Sequence, residues 1–129
     1  ISYLISILKG IVSLTILNVW LLRFNKASSY RGGDATDLIS EFAAYGLSLN
    51  MVYLVGGLKV IAALALLGSI FIKKSAQIPL ILIIVLMASA IYFHFSIGDP
   101  WIKSFPAALM LGFSVLIFFF QKQNQTAIN

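Results

Sequence analysis

The chain has 129 residues, of which 60% are hydrophobic and 10% charged, with a mean hydropathy of +1.00; soluble domains carry about 25% charged residues, so a water-soluble core is excluded. It has no cysteine and one histidine, His94, which removes thiol redox chemistry, thiolate metal sites and a haem held by two histidines of one chain. The net charge of +5 comes from nine basic residues scattered over loops and helix ends, a distribution that suits anionic lipid head groups rather than nucleic acid.

A membrane-spanning helix needs about 20 predominantly apolar residues. The sequence predicts four such spans, at 2–22, 51–72, 76–96 and, shorter, 105–120. The expected architecture is all-α: a single transmembrane domain over 1–129, built as a four-helix bundle with a short interfacial helix in the first loop. In the first span Lys9 precedes an apolar run as long as a signal-peptide core. Arg23 and Lys26 follow that run directly, with no small-x-small cleavage site, which reads as a retained helix. Lys9 itself is expected to snorkel toward the nearer membrane face.

Four spans place both termini on one face, side A, together with Lys73, Lys74 and Lys122. Side B then carries Arg23, Lys26, Arg31 and Lys103 and all four acids, Asp34, Asp37, Glu41 and Asp99. Counting Lys and Arg does not decide between the two orientations; side A is read as the cytoplasmic face.

In the first loop Arg31 is followed by a Gly32-Gly33 hinge and by Asp34, placed as an N-cap, with Asp37 three residues on. That pattern predicts an amphipathic helix over 35–45, with Leu38, Ile39, Phe42, Ala43 and Tyr45 on its apolar face, Glu41 elsewhere, and Gly46 ending it. Trp20, Tyr53, Tyr92 and Trp101 fall near the side-B ends of their segments, as an aromatic belt would.

The second span holds Lys59 near its middle, and no acid lies in any apolar segment. A lysine at the centre of a spanning helix costs roughly 2.5 to 3.5 kcal/mol on insertion scales, so it needs shielding. Small residues at Gly56, Gly57, Ala62, Ala63, Ala65 and Gly68, with Ala88 and Ala90 of the third span, predict close packing of spans two and three. Lys59 lies about eight residues in from side B and His94 about two, a depth difference of roughly 9 Å. A lysine reaching toward side B would approach His94 and the Asp99 carboxylate held in the Gly98-Asp99-Pro100 turn. The expected polar network is therefore Lys59, His94 and Asp99, with Asn18 able to join it and Tyr53 beside it.

The ordered set Gly56-Gly57-Leu58-Lys59, Ala62 to Leu67, Ala90 with His94, Ile97-Gly98-Asp99-Pro100 and Pro106 resembles the DoxX-like family of small four-helix bacterial membrane proteins, over 55–106. The resemblance implies residence in the bacterial cytoplasmic (inner) membrane and an association with thiosulfate:quinone oxidoreductase or terminal oxidase complexes, hence with electron transport. The leading expectation is an accessory or structural subunit of a larger membrane complex. It would have no catalytic activity of its own, no cofactor other than quinone or lipid, and membrane lipids and other membrane subunits as partners. A second reading is a quinone or small-lipophile site in which Lys59 and His94 bind a carbonyl while Tyr53, Tyr92 and Trp101 pack on a ring. A third is a small transporter or proton pathway, motivated by the intramembrane ionisable residues. No Ser/His/Asp set, paired carboxylates or phosphate-cradling glycine loop points to a soluble-type enzyme.

Overall fold

The computed structural model describes residues 2–72 and 76–128, with side chains from 3 to 121 apart from the 73–75 segment. Lys73, Lys74 and the side chain of Lys122, assigned to side A above, lie outside the described residues. The described residues form five α-helices: α1 Ser2–Leu17, α2 Leu38–Ala44, α3 Leu49–Ile72, α4 Gln77–Ser96 and α5 Phe105–Ile128. A π-helical turn, Asn18–Leu22, extends α1, and a 3-10 turn, Trp101–Ser104, leads into α5. No strand occurs among the described residues. Among the described residues four helical segments are long and apolar enough to span a membrane: Tyr3–Leu22, Leu49–Ile72, Gln77–Ser96 and Trp101–Gln121.

The spans run up, down, up and down. Helix α1 packs on α3 and α5, and α4 packs on α3 and α5, so every neighbouring pair is antiparallel, as short connections favour. Each helix contributes one narrow inward stripe. On α1 it is Ile5, Leu8, Val12, Ile16 and, past the π turn, Trp20; on α3, Val52, Gly56, Ala63 and Leu66; on α4, Leu80, Ile83 and Met87. Steps of three and four residues keep these side chains on one face of a 3.6-residue helix. The remaining faces carry large exposed apolar residues such as Leu14, Leu54, Ile61, Ile78 and Phe119, which is the pattern of a surface solvated by lipid.

Some details differ from the sequence expectations. The helix in the first loop is shorter than 35–45 and is capped by Asp37 instead of Asp34: Ser40 N–H donates to Asp37 Oδ1 at 2.7 Å, and Ser40 Oγ accepts from the Asp37 amide. Its buried residues are Leu38, Glu41 and Phe42, while Ile39 and Ala43 are exposed. Helix α5 continues to Ile128, past the predicted limit at 120. Lys9 is 5% exposed, so its side chain is covered by the bundle itself. The small residues of α3 serve α1 as much as α4: a β-carbon at Gly56 would lie 2.5 Å from the Trp20 ring. Trp20 thus leaves the aromatic belt and is buried between α1, α2 and α3, edge-on to Phe42 at 5.8 Å.

Candidate functional site

The polar residues of side B gather because two helices end in the same way. After α4, Gly98 adopts φ 73, its N–H donates to the Phe95 carbonyl at 3.1 Å, and the Asp99 N–H donates to the His94 carbonyl at 3.0 Å. This is the Schellman ending, in which the second residue past the cap folds back over the third residue from the helix end. Those two positions usually carry an apolar contact; here they carry Asp99 and His94. His94 Nδ1 therefore lies 2.8 Å from Asp99 Oδ2, fixing Nδ1–H as the donor to the carboxylate. Helix α2 ends identically at Gly46, with φ 82, and the Leu47 N–H reaches the Phe42 carbonyl at 2.9 Å. That turn aims the start of α3 down into the bundle while Tyr45, the last residue before Gly46, meets His94 edge-on, its hydroxyl oxygen 3.3 Å from both ring nitrogens.

The first loop is clasped onto this pair by two carboxylates. Asp99 accepts from the Gly33 N–H at 3.1 Å, and the Lys103 ammonium donates to the Gly33 carbonyl while lying 3.9 Å from Asp99 Oδ1. Burial alone would raise the Asp99 carboxyl, but the His94 hydrogen bond, the Gly33 amide and the Lys103 charge outweigh it and hold it below the usual aspartate range. Glu41, only 8% exposed, accepts from the Gly32 N–H at 2.7 Å and from the Tyr45 hydroxyl at 3.0 Å, and its other oxygen pairs with Arg31 at 3.4 Å. Burial first, and then the Glu41 carboxylate, push the Tyr45 phenol up, so it remains a protonated donor. The Arg31 guanidinium also donates to the Arg23 carbonyl at 2.6 Å and to the Lys26 carbonyl at 3.0 Å, so a buried cation closes the whole loop with charge-assisted bonds.

Beneath the clasp, between α2, α3 and α4, lies a pocket of about 360 Å³. Glu41, Tyr45, Lys59 and His94 give it polar groups, and its walls are largely apolar, including Met51, Leu54, Val55, Leu58, Leu86 and Phe93. Phe93 stacks on Tyr45 at 5.5 Å. The volume falls in the range of small-ligand sites, and the mixture of apolar wall and a few placed polar groups is their usual composition.

The structure brings His94 and Asp99 into direct contact, and both with the first loop. Lys59 stands apart from that pair: it lines the pocket with its Nζ 5.4 Å from the centroid of the Trp20 ring, within the range of a cation–π contact. The carboxylate whose charge acts on it is that of Glu41, not Asp99, and no carboxylate lies within 4 Å of it among the described residues. Asn18 is exposed at the start of the π turn, and Tyr53 is 60% exposed on the outer face of α3; neither joins the site. Tyr92 and Trp101 are likewise exposed, as interfacial anchors would be. Sequence reasoning missed Arg31, Glu41, Tyr45, Trp20 and Lys103 as site residues. The Glu41 and Tyr45 pair, spaced one helical turn apart, was the available signal, but it was divided between two faces.

An antiparallel four-helix bundle of apolar helices, with a polar clasp and a pocket at one end, defines an integral membrane protein. Residues 16–119 match the model of the DoxX-like family, and the chain belongs to that family. No curated protein and no solved structure matches it significantly.

Proposed function

We propose that this DoxX-like protein binds a small lipophile with a polar head in the pocket between α2, α3 and α4. The observation that carries this reading is the composition of the cavity: an apolar wall from α3 and α4 and, on the same space, the Lys59 ammonium, the Tyr45 hydroxyl and the His94 ring. Such a site takes the tail or ring of a lipophile by burial, at about 25 cal/mol per Å² of apolar surface, and offers its head the Lys59 ammonium as donor, since the Tyr45 hydroxyl and the His94 Nδ1–H already donate to Glu41 and Asp99. A quinone ring and a single-chain amphiphile both satisfy these requirements. The chain's own residues supply no electron carrier, so redox chemistry on a bound quinone would draw electrons from a partner's cofactor.

Filling the pocket tests the reading. Ala90 lines it from α4, and Ala90→Phe places a ring in the cavity. Photolabelling of the full chain in nanodiscs, with an azido-quinone and a diazirine fatty acid, is expected to mark pocket residues of α3 and α4 in the native protein and to lose that mark in the variant. Equal labelling of both proteins would remove the pocket from the function. The same site is compatible with an accessory role in a larger quinone-linked membrane complex. That role predicts that other membrane subunits copurify after mild detergent extraction, and a chain recovered alone would remove it.

A further inference from the structure

The charges around the pocket do not cancel. Arg31 is matched by Glu41 and Lys103 by Asp99, leaving Lys59. Each carboxylate already has partners, Glu41 in Arg31, Gly32 and Tyr45 and Asp99 in Gly33, His94 and Lys103, and neither lies within 4 Å of Lys59. The Tyr45 hydroxyl donates its hydrogen bond to Glu41. On one side the Lys59 ammonium rests over Trp20, an aromatic face that attracts a cation but accepts no conventional hydrogen bond. Its three N–H groups find no acceptor among the described residues. An ammonium held at membrane depth without such an acceptor is costly, and a neutral lipophile would offer it only a weak partner.

Resting on the pocket assignment above, we infer that the ligand is an anionic amphiphile: one anionic oxygen head, carboxylate or phosphate, pairs with Lys59 Nζ, and the chain runs along Leu54, Leu58 and Leu86. Glu41 has a second part in this arrangement. Its carboxylate is bonded to Arg31, Gly32 and Tyr45 and lies beyond ion-pair distance of Lys59, so it faces the pocket as a negative group without capping the ammonium, which lies 5.4 Å from the Trp20 ring centroid. A second anionic group on the ligand would face Glu41 and be repelled, so the site selects a single negative head.

Trp20 is a built-in reporter, because it touches Lys59. In a Trp101→Phe background, 2-bromododecanoate, whose heavy atom sits beside the carboxylate, is expected to quench Trp20 saturably in nanodiscs of zwitterionic lipid. Its methyl ester should bind at least about tenfold more weakly. Lys59→Met should weaken the acid by a similar factor and abolish the preference over the ester, whereas Lys59→Arg should keep it. Displacement by dodecyl phosphate as readily as by dodecanoate would assign the head to a lipid phosphate, and displacement by dodecanoate alone to a free fatty acid. Both support an anionic ligand. Equal binding of acid and ester to the native chain, a comparison that needs no Lys59 variant, would overturn it. If the Ala90→Phe-sensitive labelling persists in that case, the pocket keeps its lipophile and only the charge assignment falls.

Discussion

Single residues decide where the polar groups of this bundle meet. Gly98 is one of them: its φ of 73 is open to glycine at little cost, and through it the backbone returns Asp99 to His94. Gly98→Ala is expected to cost about 1 kcal/mol from the left-handed conformation and to loosen the Asp99 contact; retention of an unshifted His94 imidazole resonance by NMR would contradict this. Gly56 acts by absence. A methyl there meets the Trp20 ring at 2.5 Å, whereas one at the adjacent Gly57 meets nothing within 4 Å. Gly56→Ala should therefore lower stability in detergent by about 1–3 kcal/mol through overpacking. Gly57→Ala should leave it unchanged or raise it by up to about 1 kcal/mol through helix propensity. Thermal unfolding of the two variants side by side measures the difference, and equal behaviour would mean that Trp20 is not seated against α3.

Among the elements, α2 is the one whose role changes most from sequence to structure. As an isolated segment it is a short amphipathic helix; in the fold it is the cover of the pocket, held down by Glu41, Tyr45 and the Arg31 loop. Asp99 locks that loop through the Gly33 amide. Because its folded-state pKa lies below the unfolded value, the stabilisation is complete above the unfolded pKa of about 3.9 and is lost only as pH falls through the lower, folded value. The protection of the Gly33 amide, the intrinsic rate at each pH relative to its exchange rate, should then stay high from neutral pH to about pH 4 and fall below it. In Asp99→Asn that protection should be low across the whole range, with α2 less protected and the transmembrane helices unaffected. Protection of Gly33 that survives the substitution would show that the loop is held by Glu41 and Arg31 alone.

At the scale of the whole molecule the prediction concerns topology. Four spans place the first loop and the end of α5 on opposite sides of the membrane, and the absence of native cysteine makes this directly measurable. Asn25→Cys and Gln123→Cys are expected to react with a membrane-impermeant maleimide from opposite faces of oriented vesicles. Labelling of both from one face would refute the even-span arrangement.

The class and the four spans are legible in the sequence, because hydrocarbon requires every backbone group to be bonded within its own helix and each span therefore announces itself by length and composition, and the family is legible in the ordered motifs around Lys59, His94 and Asp99. The sequence by itself also determined the meeting of His94 with Asp99, since that contact is local: the glycine and the aspartate follow the histidine at the spacing of a helix ending. Partners far apart in the chain were decided only by the tertiary structure. Lys59 faces Trp20 and the influence of Glu41 instead of Asp99 because α1 docks into the Gly56 notch and α2 folds over the top. Asn18 and Tyr53 fall outside the site because the rotation of each helix about its own axis is set by its neighbours. Hydropathy cannot report that rotation when apolar residues cover every face of a span. The pocket belongs wholly to the tertiary level, as it is the space that two transmembrane helices and a short amphipathic cover leave between them.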